Sequence, residues 1–148
     1  MKPPPSALTS PAHSAADVPL LRGRCTLVGA GPGDPELLTL KAVRAIQAAS
    51  VLLVDDLVSP GVLALARPMA RVVHVGKRGG CKSTPQGFIE RLMQMAVLEG
   101  ENVVRLKGGD PMVFGRADEE IEACHAAGIA VEVVPGVTSA LAAAAATQ

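Results

Sequence analysis

From Gly23 onward the sequence alternates five times between a short run of β-branched and aliphatic residues and a longer stretch with helical spacing. The short runs are Cys25–Gly29, Val51–Val54, Arg71–Val75, Asn102–Leu106 and Ala130–Val134. Helical stretches follow at Glu36–Ala48, Pro60–Ala66, Pro85–Glu99 and Asp118–Ala127, and a last one opens near Thr138. Strands separated by helices cannot pair as tight hairpins and return in the same direction. The expected fold is therefore α/β: a mostly parallel five-stranded sheet with flanking helices. The strand runs are nearly all apolar rather than alternating, as expected for strands covered on both faces. In such sheets ligands sit beyond the carboxyl ends of the strands, which directs attention to the five loops that follow them.

Composition narrows the function. The 148 residues are 49% hydrophobic and 19% charged, and 14 basic side chains cancel 14 acidic ones. That neutrality gives no long-range positive field for a polyanion, and two Phe with no Tyr or Trp leave little to stack bases on. Nucleic acid is thus not an expected partner. Apolar stretches are interrupted well short of the ~18–20 residues that cross a bilayer, so no membrane partner is expected. Cys25, Cys81 and Cys124 form no CxxC pair and read as reduced thiols of a cytoplasmic protein. His13, His74 and His125 lack ligand spacing, and no metal site is expected.

Three segments are expected. Residues 1–22, with Pro3, Pro4, Pro5, Pro11 and Pro19 and no apolar period, read as a disordered tail without secretory or transit character. Residues 23–134 form the α/β domain, and 135–148 an interdomain segment with the start of a truncated second domain. The final Ala-rich helix has no Gly, basic turn or Pro to end it, the pattern of a fragment.

The loops carry unusual residues. In the first, Gly29-Ala30-Gly31-Pro32-Gly33-Asp34-Pro35, glycines allow positive φ and close approach of a ligand. Asp34 stands where a dinucleotide fingerprint requires a third glycine, and prolines remove donors for a pyrophosphate, which argues against a nucleotide-dependent dehydrogenase. A tight turn without a ligand is the alternative. The second loop places Asp55 and Asp56 at a strand end, suited to a general base, with helix capping by Asp56 or Ser59 as the alternative. Residues 71–91 hold Arg71, Lys77, Arg78, Lys82 and Arg91 against one acid, Glu90, a patch suited to a small polyanion if it is not simply a solvated basic loop. The fourth loop, Lys107-Gly108-Gly109-Asp110-Pro111, offers bare backbone and an acceptor for a ribose or ammonium. Asp118, Glu119, Glu120 and Glu122 read as acids complementing a helix dipole. Thr138 and Ser139 are either caps or ligand contacts.

In their order along the chain, Gly29-Ala30-Gly31-Pro32-Gly33-Asp34, Asp55 with Leu57 and Val58, Gly76-Lys77-Arg78, Lys107-Gly108-Gly109-Asp110-Pro111 with Phe114-Gly115-Arg116, and Pro135-Gly136-Val137-Thr138 resemble the uroporphyrinogen-III C-methyltransferases of the tetrapyrrole methylase family. The resemblance runs from about Arg24 to the end of the chain. It implies S-adenosylmethionine as cofactor and transfer of two methyl groups to uroporphyrinogen III, giving precorrin-2 for sirohaem or cobalamin. It also implies a second α/β domain and a homodimer when full length. By position, Pro32, Gly108, Gly109, Asp110, Val113, Thr138 and Ser139 would contact the cofactor. Asp55 would accept a proton and Lys77 donate one, while Arg78 and Arg116 would face the substrate. Val54, Gly87, Met112 and Ala117-Asp118 differ from the residues usual in that family. A fragment that only binds, or that needs a partner half, is the alternative of a different class.

Overall fold

The computed structural model describes residues 23–76 and 84–148. The tail 1–22 and the loop residues Lys77, Arg78 and Cys81 lie outside the described residues. Five strands, β1 (Arg24–Gly29), β2 (Val51–Val54), β3 (Arg71–His74), β4 (Asn102–Lys107) and β5 (Val131–Val134), form one sheet in the order β3-β2-β4-β1-β5. Every pairing in it is parallel, in agreement with the alternation in the sequence.

Because side chains alternate across a strand, each strand feeds two cores. On one face Val28, Leu52, Val54, Val104 and Leu106 pack on α1 (Leu40–Ala48) and α2 (Pro60–Leu63) through Ala42, Ile46 and Val62. On the other, Cys25, Leu27, Val51, Leu53 and Val103 meet Ile89, Met93 and Val97 of α3 (Gln86–Leu98) and Cys124 of α4 (Ala117–Ala126). Cys25 and Cys124 are both free and buried. A hydrogen bond to Cys124, reinforced by burial, pushes the Cys25 thiol well above its ordinary value.

Two helix boundaries differ from the sequence expectation. The stretch expected to start at Glu36 breaks into a 3-10 turn, Pro35–Leu37, and then α1. Two caps lie close together here: the Asp34 carboxylate accepts from the Glu36 N–H at 2.9 Å, and the Thr39 hydroxyl accepts from the Ala42 N–H at 3.0 Å. Each starts its own turn, and Leu38 between them is extended. α2 ends at Leu63, three residues before the expected end, where the Ala64 N–H bonds back to Pro60. The last helix, α5 (Ser139–Thr147), buries none of its residues. Among the described residues no helix is long and apolar enough to cross a membrane.

Candidate functional site

The chain leaves β1 toward β2 on one side and leaves β4 toward β5 on the other, so the neighbours β1 and β4 mark the point where the strand order reverses. A crevice for ligands is expected there. Backbone fills it instead. Gly31, at φ 67°, donates its N–H to the Gly109 carbonyl at 3.1 Å, and Gly109, at φ 65°, donates to the Gly31 carbonyl at 2.8 Å. A Cβ on Gly136 would lie 2.2 Å from the Gly109 oxygen, and one on Gly29 would lie 2.6 Å from the Gly136 Cα. The glycines allow this close packing of the first, fourth and fifth loops. Two side chains complete the stitching. Ser59 caps α2 and also donates to the Gly33 carbonyl at 2.6 Å. The Asp110 carboxylate accepts from the Met112 N–H at 2.8 Å and from the Gly136 N–H at 3.0 Å, so it orders the fourth and fifth loops. Asp56 packs against Gly76, where a Cβ would fall 2.5 Å from its carboxyl carbon.

With those loops fixed, a cavity of about 230 Å³ opens beside them. Asp55 enters it from the end of β2, Gly108, Gly109, Asp110 and Val113 from the loop after β4, and Thr138 and Ser139 from the start of α5. Seven residues singled out in the sequence thus meet in one place. Thr138 holds the cap position of α5, but its hydroxyl makes no capping bond, so the capping alternative is not realised there. Pro32 is half-buried in the first loop and does not line the cavity. Arg116 is exposed at φ 51°, and its guanidinium grips Glu119 with two bonds of 2.8 and 2.6 Å. That contact raises the Arg116 pKa and holds the Glu119 carboxyl below its ordinary range. Lys77 and Arg78 lie outside the described residues.

Sequence reading missed a group of charges beneath the cavity. Arg105 of β4 is buried and donates from Nη2 to Asp55 Oδ1 at 2.6 Å and from Nε to Glu120 Oε1 at 3.0 Å. Lys107, two residues on, donates from Nζ to Glu120 Oε2 at 3.1 Å. Glu120 is fully buried and also receives Gln86 Nε2 at 3.3 Å. It is therefore not one more surface acid at a helix start, as expected, but the shared acceptor of two buried cations. A signal was available: Arg105 and Lys107 interrupt an otherwise apolar strand at alternate positions, so both point to one face.

A larger cavity, about 440 Å³, lies at the opposite end of the sheet among Arg24, Cys25, Thr26, Ile129, Ala130 and Val131. It sits at the amino ends of β1 and β5. Parallel sheets bind ligands at the other end, and the predicted site residues are there too, so the smaller cavity is the candidate site.

Beyond its all-parallel α/β sheet, the chain matches the Tetrapyrrole (Corrin/Porphyrin) Methylases over residues 24–148 and belongs to that family. Within it, the chain is 62% identical over 122 residues to a uroporphyrinogen-III C-methyltransferase of Pseudomonas aeruginosa, a match that covers 82% of this chain and 49% of that protein. The crystal structure of uroporphyrin-III-C-methyltransferase from Thermus thermophilus superposes with a TM-score of 0.75 at 54% identity, over 84% of this chain and 52% of that one. The same Thermus enzyme complexed with S-adenyl homocysteine gives 0.73 at 55% identity, over 82% and 52% of the two chains. The chain thus spans about half the length of these relatives.

Proposed function

We propose that this chain is the amino-terminal half of a uroporphyrinogen-III C-methyltransferase, which moves two methyl groups from S-adenosylmethionine to ring carbons of uroporphyrinogen III and yields precorrin-2 for sirohaem or cobalamin. The observation that carries this reading is the convergence of Asp55, the Gly108-Gly109 backbone and the Thr138 and Ser139 hydroxyls on one cavity. The donor set fits the cofactor. S-adenosylmethionine has no phosphate, so hydroxyls and open backbone suit it better than a cationic nest. At about 230 Å³ the cavity falls short of the ~300–1,000 Å³ typical of an enclosing ligand pocket. It has the dimensions of one wall of a cleft. The wholly unburied α5 and the exposed Leu57, Met112 and Phe114 beside the cavity support a second domain that covers them.

When bound, the cofactor supplies an electrophilic methyl group. Transfer at a sulfonium disperses charge, so the chain's main task is to align the two reactants. Gly108 and Gly109 admit the cofactor against backbone, and Thr138 and Ser139 offer hydroxyls to orient it. Methylation of a substituted ring carbon leaves the macrocycle cationic, so it must then lose a proton from another position, and Asp55 is the acceptor. Lys77 as proton donor, Arg78 and Arg116 toward the substrate carboxylates and Pro32 on the cofactor complete the assignment. A homodimer of the full-length protein in the cytoplasm, with no nucleic-acid partner, belongs to the same reading.

Calorimetric titration with S-adenosylhomocysteine and a methyl-transfer assay on the full-length protein test it. Asp55→Ala should lower turnover by about 10²–10⁴-fold while leaving the cofactor Kd within about twofold. Equal loss of both would refute the role given to Asp55.

A further inference from the structure

Asp55 is the exposed end of a chain of four charges. Its side chain is 28% exposed, whereas those of Arg105, Lys107 and Glu120 are 3%, 5% and 0% exposed. Two acids and two bases sum to zero, so the group carries no net charge into the core. Buried ion pairs are weak evidence for stability, because their desolvation cancels most of the attraction and apolar residues fill the same space as well. The placement points elsewhere. Arg105 uses four of its N–H groups at once: Nε on Glu120, Nη2 on Asp55, and Nη1 on the carbonyls of Leu53 at 3.4 Å and Leu106 at 3.2 Å. Those carbonyls lie at the carboxyl ends of β2 and β4, so the guanidinium plane is pinned to the sheet itself. Asp55 Oδ1 is engaged by Arg105, and Asp55 is at the same time part of the cavity lining.

We propose that Glu120 and Arg105 are positioning residues of the methyl-transfer site: Glu120 fixes the guanidinium of Arg105, which in turn sets the rotamer of Asp55 so that its carboxylate is held toward the macrocycle from which it takes the proton. Lys107 bonds the second oxygen of Glu120, so that carboxylate is held at both ends. This inference rests on the proposed role of Asp55 as proton acceptor.

The test is a double-mutant cycle in the full-length enzyme. Arg105→Lys keeps the charge but not the fork, and Glu120→Gln keeps an acceptor for Arg105 but not the charge. Each should lower kcat by about 10–100-fold with KM for both substrates within about twofold, since misplacement of a reacting group costs rate more than binding. In an Asp55→Asn background the same substitutions should change the residual single-turnover rate by less than about twofold, because the group they position is already gone. An equal fall in both backgrounds would mean that the residues only support the fold, and an unchanged kcat would remove any role; either overturns the proposal. Should Arg105→Lys fail to fold, Glu120→Gln reads the same coupling. Absence of methyl transfer by the unaltered enzyme overturns the functional reading and this inference with it. Turnover that is insensitive to both variants overturns this inference alone.

Discussion

The two faces of the sheet are made by alternate residues of the same strands, yet they differ at the carboxyl end. On the α1/α2 face, Val28, Val54, Leu106 and Val134 carry the apolar core right up to the loops. On the α3/α4 face the apolar core gives way, at the same height, to Arg105, Lys107 and Glu120 with Asp55 above them. A one-residue offset along a strand thus separates a face that stabilises from a face that also orients a carboxylate. The burial of the two regions is alike; their chemistry is not.

Three substitutions would sharpen or break that contrast. Glu120→Ala strands two buried cations and should cost about 3–5 kcal/mol of stability in denaturant unfolding. The loss should come with a fall in turnover among molecules that remain folded. Leu52→Ala, fully buried on the apolar face, should cost about 2–5 kcal/mol but leave cofactor affinity and turnover of the folded enzyme unchanged. A change in Kd from Leu52→Ala would show that the faces are not separable. Thr39→Ala removes the cap of α1 on that same face and should cost about 0.5–2 kcal/mol, read as a lower midpoint with an unchanged m-value.

Much of this was legible in the sequence because a parallel sheet converts chain order into spatial order. Each β-branched run became a strand, and the loops after β2, β4 and β5 came to the same edge, so Asp55, Gly108, Gly109, Asp110, Thr138 and Ser139 meet without being neighbours in the chain. What was not legible depends on which strands sit side by side. Arg105 reaches Asp55 only because β2 and β4 are neighbours, with Leu53 in register with Arg105. Glu120 is buried only because α4 lies over that face. The pairing of the first and fourth loops was not legible for the same reason: Gly31 and Gly109 are 78 positions apart, and nothing local says that they pair. Asp34 and Thr39, by contrast, were local signals, two capping residues that the reading of one continuous helix passed over.

The glycine contacts among the first, fourth and fifth loops bear on which substitutions this site can tolerate. Gly136 presses on Gly109, and Gly109 is bonded to Gly31 by backbone alone, with no side chain between them to absorb a shift. A side chain on Gly136 would run into the Gly109 carbonyl, and one on Gly31 or Gly109 would strain a backbone held at φ 67° or 65°. The three loops thus behave as one mechanical unit, and substitutions that reshape the pocket meet least resistance at positions around it, such as the exposed Leu57, Met112 and Phe114.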